Sequence, residues 1–140
     1  MKILLAVDGS AYTKKMLAYL VEHKELFGSA PQYTVFTAQP PLPPRAKAAV
    51  GAAAVNSYQA EEAEKILSPV CKFLMQSSID AKSAWKVGHA GETIAKFASS
   101  GKFDILVMGS HGHSALGNLV MGSVTTQVLA HSTVPVLLVR

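Results

Sequence analysis

Apolar residues along the chain alternate between two patterns. Near-continuous apolar or β-branched runs fall at residues 3–7, 33–38, 103–108 and 135–139, and a further strand is read over 81–87. The first closes on Asp8-Gly9-Ser10, the signature of a central strand covered on both faces. Between the runs, apolar residues recur at helical spacing. Leu17, Leu20, Val21 and Phe27 mark a helix over 11–27, with Ser10 as its N-cap and Gly28 as its terminator. A second helix is predicted over 58–76, with Ala63, Ile66, Leu67, Val70, Phe73 and Leu74 on one face, and Pro69 should kink or break it near Ser68. Shorter helices are expected over 91–99 and 122–131. The 40–57 segment opens on Pro40-Pro41-Leu42-Pro43-Pro44 and continues rich in alanine, so it reads as a long, flexible connection, either a lid over a ligand or a mobile insertion.

The resulting β-α-β-α-β-α-β-α-β order predicts a single-domain α/β fold, a parallel sheet with right-handed crossovers and helices on both faces. Ligands of such sheets bind outside the carboxyl ends of the strands, where strand order reverses. Length agrees: 140 residues with 49% hydrophobic and 16% charged side chains suit one compact domain and exclude a disordered chain. No apolar run approaches the roughly 20 residues of a membrane span, and the opening run is too short for a signal-peptide core, so a cytoplasmic protein is expected. The single cysteine, Cys71, excludes an internal disulfide and reads as a small buried hydrophobe.

A net charge of +4 raises the question of nucleic acid. The distribution argues against it. Basic residues are spread over both halves, none run together with interleaved aromatics, and residues 105–139 contain no Asp, Glu, Lys or Arg. That charge-free stretch nevertheless carries Gly, Ser, His and Asn, as expected of buried strands flanking a specialised loop.

Two segments at strand carboxyl ends stand out. One is Asp8-Gly9-Ser10. The other runs over 109–123, with glycines at 109, 112, 117 and 122 and Ser123 at a helix start. Glycines let backbone amides approach a ligand, and a helix start attracts anions, so the second segment outlines a phosphate cradle. Neither a Walker loop nor a dinucleotide fingerprint fits, because Asn118 and Leu119 stand where the Walker lysine and hydroxyl belong. Asp8 reads either as a ligand contact or as ordinary helix capping. Zinc is disfavoured because His111 and His113 have no third histidine at ligand spacing. Ser110 and His111 do not read as nucleophile and base: no Gly-x-Ser-x-Gly elbow is present, and extended neighbours point apart. Trp85 and Phe103 read as core residues, Tyr12 and Tyr58 as surface aromatics, and Lys14 and Lys15 as a solvated helix face.

Gly109-x2-Gly112-x9-Gly122-Ser123 resembles the nucleotide motif of the universal stress protein family. The likeness runs along the whole chain, through the opening Ile3-Leu4-Leu5-Ala6-Val7-Asp8-Gly9-Ser10, the Gly88-His89-Ala90-Gly91 turn and the closing Ser132-Thr133-Val134-Pro135. The resemblance implies a five-stranded sheet in the order 3-2-1-4-5, the adenine nucleotide alpha-hydrolase-like arrangement. It implies a stress-response or regulatory module that binds ATP, or else ADP or AMP, and that is not a dedicated enzyme. It also implies a homodimer paired through the C-terminal strand.

Carried onto this chain, the resemblance assigns Asp8 to the ribose, the backbone near Ala38 to the adenine, and Met108 and Gly109 to the flanks of the ribose. Gly112, Gly122, Ser123 and Val124 fall to the phosphates, with His111 and His113 completing the set. Many members place Arg or Lys after the His-Gly pair; here His113 and Ser114 follow, which removes a fixed positive charge. Mg²⁺ could compensate, with Asp8 the only carboxylate nearby. The rival readings are a nucleotide-independent dimeric interaction protein and a slow ATPase.

Overall fold

The computed structural model describes residues 1–112 and 121–140. Its strands are β1 (Lys2–Ala6), β2 (Gln32–Gln39), β3 (Ala81–Val87), β4 (Ile105–Gly109) and β5 (Val136–Val139). Its helices are α1 (Ala11–Glu22), α2 (Pro44–Val50), α3 (Ala52–Gln76), α4 (Ala90–Ser100) and α5 (Ser123–His131). The strands form one parallel sheet in the order β3-β2-β1-β4-β5, as the resemblance implied. β1 lies at the centre, with Leu4 opposite Thr34 of β2 and Leu106 of β4.

The two-residue period of the strands divides the core. Ile3, Leu5, Val7, Val35 and Val107 point to one face, where they pack against Met16, Leu17 and Leu20 of α1 and Leu67, Val70 and Leu74 of α3. Leu4, Ala6, Phe36, Leu106 and Met108 point to the other, against Ile94 and Ala98 of α4 and Val128 of α5. The Phe36 ring is fully buried and stacks on Phe97 with centroids 4.2 Å apart. α1 sits mainly on β4 and β5, and α3 on β2 and β3, so the two helices straddle β1.

Four expectations need correction. The 40–57 segment is largely helical: α2 covers Pro44–Val50 and α3 begins at Ala52. Its Ala, Lys and Arg residues are strong helix formers, and Pro44 takes the first helical position, where its missing N–H costs nothing. None of α2 is buried, which is why no apolar periodicity announces it. Gly51, with φ +82°, separates the two helices in a conformation that favours glycine. Helix α1 stops at Glu22, and residues Lys24–Phe27 form a separate 3₁₀ turn.

The third correction concerns Pro69, which does not break α3. Its missing N–H deprives the Lys65 carbonyl of the usual donor, but Leu67, Val70 and Leu74 on either side are buried and hold the helix on the sheet. The fourth concerns Phe73, assigned to the buried face but 38% exposed. Cys71 is half-buried against the core; burial pushes its thiol up, with nearby Glu64 adding to the shift. Among the described residues no helix is long and apolar enough to cross a membrane.

Replacing Pro69 with alanine restores a donor to the Lys65 carbonyl without disturbing a buried contact. Pro69→Ala is expected to raise stability by about 1–3 kcal/mol, measured as a shift in the urea midpoint at constant slope.

Candidate functional site

β1 is flanked by β2 on one side and β4 on the other; α1, which follows β1, and α5, which follows β4, lie on opposite faces of the sheet, so a cleft opens at the carboxyl ends of these strands. Val7 prolongs β1 by one ladder bond, donating its N–H to the Phe36 carbonyl at 2.9 Å. Asp8 follows at the cleft floor. One carboxylate oxygen, Oδ1, accepts from the Ser10 amide at 2.9 Å and from the Thr13 hydroxyl at 2.9 Å. The Thr13 hydroxyl in turn accepts from the Asp8 amide at 3.1 Å. Ser10, not Asp8, caps α1: its hydroxyl accepts from the Thr13 amide at 3.4 Å. These bonds hold Asp8 in one rotamer and aim Oδ2 at the opposite wall.

That wall is the segment after β4. A Cβ on Gly112 would lie 2.7 Å from Asp8 Oδ2, so glycine lets the Asp8 carboxylate rest against this backbone undisplaced. Gly109 is glycine for a different reason, because a Cβ would lie 2.8 Å from Tyr12 Cβ and 3.0 Å from the Tyr12 carbonyl, where α1 crosses β4. A Cβ on Gly122 would come within 3.1 Å of the His111 Cα. The segment is anchored at its base. The Ser110 amide donates to the Val139 carbonyl at 2.9 Å, and the Gly122 amide donates to the Ser110 carbonyl at 2.8 Å. The buried Thr125 hydroxyl reaches the carbonyls of Ser110 at 3.1 Å and Gly109 at 3.3 Å.

Ser110 and His111 do not point apart as expected. Ser110 Oγ and His111 Nδ1 lie 2.8 Å apart in a hydrogen bond, because the strand ends at Gly109 and its alternation no longer applies. Ser110 is only 1% exposed and does not line the cleft. The His111 ring also rests against Tyr12, with centroids 4.7 Å apart. Tyr12 is therefore part of the site's support rather than a loose surface aromatic, and Lys15 Nζ lies 5.0 Å from the centre of its ring.

Gly122 caps α5 without a side-chain bond, and Ser123 is the first helical residue. The first-turn amides of α5 lack intrahelical acceptors and carry the positive end of its dipole. Val124 and Thr125 line the cleft. Val7, Ala38, Ile94 and Met108 supply the apolar part of its walls. Asp8 and His111 are its titratable side chains among the described residues, and no described lysine or arginine lines it.

The fold thus brings Asp8, Ala38, Met108, Gly109, His111, Gly112 and Val124 around one cleft. Gly122 and Ser123 stand beside it at the start of α5. His113 lies outside the described residues. Thr13, Thr37 and Thr125 also line the cleft and were not singled out from the sequence; Thr13 and Thr125 orient Asp8 and the segment after β4, and only their inward position within a helix could have marked them.

The sheet order and the place of the cleft define an open parallel α/β domain with its site at the switch point. The model of the universal stress protein family matches residues 1–140, and the chain belongs to that family. A universal stress protein of Thermus aquaticus is 32% identical over 138 residues, 99% of this chain and 97% of that protein. Universal stress protein Slr1230 of Synechocystis is 34% identical over 139 residues, 99% of this chain but 42% of that protein, so this chain spans less than half of its length. The aligned region covers 49% of MJ0577 from Methanocaldococcus jannaschii, at 38% identity over 80 residues. By structure, MJ0577 superposes with a TM-score of 0.80 at 30% identity, covering 99% of this chain and 94% of that one. The same fold recurs in an Archaeoglobus fulgidus universal stress protein in complex with dAMP (TM-score 0.68, 21% identity, 100% and 98% covered). It recurs again in an Arabidopsis thaliana family protein with AMP bound (TM-score 0.70, 14% identity, 99% and 90% covered).

The two glycines predict different failures. Gly109→Ala drives a methyl into α1 backbone and is expected to cost about 1–3 kcal/mol in urea denaturation. Gly112→Ala meets only the end of the Asp8 side chain, so its cost is expected to stay under about 1 kcal/mol while the Asp8 carboxylate is displaced.

Proposed function

We propose that this chain binds an adenine nucleotide, ATP in the first instance with ADP and AMP as alternatives, and serves as a stress-response or regulatory module rather than as a dedicated catalyst. The observation that carries this reading is the meeting of Asp8 Oδ2 with Gly112, which sets a carboxylate from β1 against a glycine-lined wall from β4 in one cleft. A carboxylate accepts from ribose hydroxyls, and glycine backbone and helix-start amides donate to phosphoryl oxygens. The apolar walls at Val7, Ala38 and Met108 suit a flat base. The family relatives holding AMP and dAMP support the same ligand class.

In this reading Asp8 takes the ribose, Ala38 the base edge, Met108 and Gly109 the sugar flank, and Gly112, Gly122, Ser123 and Val124 the phosphates, with His111 and His113 alongside. Mg²⁺ would share the phosphate charge, since no described basic side chain lines the cleft. Against the slow-ATPase reading stands the burial of Ser110 and the lack of a second carboxylate beside Asp8 among the lining residues. A cytoplasmic location without nucleic-acid partners belongs to the same proposal.

Calorimetric titration of nucleotide-stripped protein with ATP, ADP and AMP, with and without Mg²⁺, tests it, with phosphate release followed in the same samples. Asp8→Asn keeps an acceptor for Ser10 and Thr13 but loses the charge, and is expected to weaken binding roughly 10- to 100-fold, or about 1.5–3 kcal/mol. Gly122→Val presses on the His111 backbone and is expected to abolish binding. Absence of heat with all three nucleotides would overturn the proposal in favour of a nucleotide-independent interaction protein. Sustained phosphate release lost in Asp8→Asn would replace it with the ATPase reading.

We also propose a homodimer through β5, an edge strand whose Val136, Leu137 and Leu138 are only half-buried in the single chain. Sedimentation at micromolar concentration is expected to give twice the chain mass; a monomer would contradict it.

A further inference from the structure

We infer that the groove between α1 and α3 is a second ligand site, for an amphipathic carboxylate with an unbranched apolar tail. The groove exists because α1 and α3 lean on opposite halves of the sheet and straddle β1. It encloses about 520 Å³, within the range of small-molecule sites. Leu17 from α1 and Ile66, Val70 and Phe73 from α3 supply an apolar lining. Phe73 is 38% exposed there, a large aromatic surface that no described residue covers.

Charge selects the sign of the ligand. The titratable side chains lining the groove are Lys14 and Lys65, and no acid lines it. Lys14 is exposed on α1 and forms no ion pair among the described residues. Lys65, on α3, pairs with Glu62 at 2.9 Å, but its side chain is 71% exposed and such a pair is weak, so the ammonium can turn to a carboxylate in the groove. An apolar trough with ammoniums at its border matches a molecule with a hydrocarbon body and a single anionic head. A polyanion is a poorer match, because Glu62 stands next to Lys65 and repels extra charge. The site is separate from the cleft, although Thr13 lines both and Gly9 borders the groove beside Asp8.

Hexanoate, octanoate and decanoate titrated into the full chain, with binding followed by amide chemical shifts, test the assignment. Affinity is expected to rise about fourfold per methylene until the trough is filled, with shifts centred on Leu17, Ile66 and Phe73. Decylamine, with the same tail and opposite charge, is expected to bind at least tenfold more weakly than decanoate. Lys14→Glu should narrow or reverse that preference, and Phe73→Ser, a change at an exposed position, should weaken decanoate tenfold or more with the melting temperature preserved. Ile66→Trp, which fills the trough, serves as a second blocking variant. Equal binding of decanoate and decylamine, shifts centred on the cleft instead, or decanoate affinity unchanged in both Phe73→Ser and Ile66→Trp would each overturn the inference.

Discussion

The central position of β1 is the constraint from which the rest follows. Buried on both faces and hydrogen-bonded along both edges, it has no solvent-facing side, and its residues are correspondingly apolar from Ile3 to Val7. The chain leaves β1 through α1 on one face to reach β2, whereas β4 is followed by α5 on the other face, so the connections of these two adjacent strands part to opposite sides of the sheet. The cleft is the gap those departures leave. Asp8 stands in it because it is the first polar residue after the strand, and the Ser10 and Thr13 bonds then set which carboxylate oxygen turns inward.

The same placement explains why the cleft is narrow and the groove is wide. At the strand ends, glycines bring backbone to within contact of Asp8 and α1, and a methyl on Gly109 would press on the α1 backbone. Over the sheet face, helices carrying large side chains must each sit above their own pair of strands, and the middle of the sheet is left between them. Close approach in one place and separation in the other arise from one sheet, without any special feature in either helix.

Much of this was legible in the sequence, and what was legible shares a physical cause. β1 and β4 were marked by burial on both faces, which writes an unbroken apolar run, and the cap at Ser10 was marked by its chemistry. Strand order was not read from the pattern; it came from family resemblance, because apolar runs carry no information about which edge they join. The unread parts lie where local signals and tertiary context diverge. Helix α2 buries nothing, so its alanines carry propensity without periodicity and lay hidden behind prolines. Pro69 signals a break that packing of Leu67, Val70 and Leu74 overrides. Tyr12, Thr13 and Thr125 reach the site from the first turns of α1 and α5, and the Ser110–His111 bond forms only because the strand stops one residue earlier.

The hydrogen bond from the Gly122 amide to the Ser110 carbonyl joins the two ends of the segment between them, while the Ser110 amide is held by β5 and both its carbonyl and that of Gly109 by Thr125. The Ser110 peptide unit is thereby tied at once to β5 and to the first turn of α5. Sheet edge and helix start are thus coupled through one peptide unit, and a displacement of either must pass through Ser110 to reach the other.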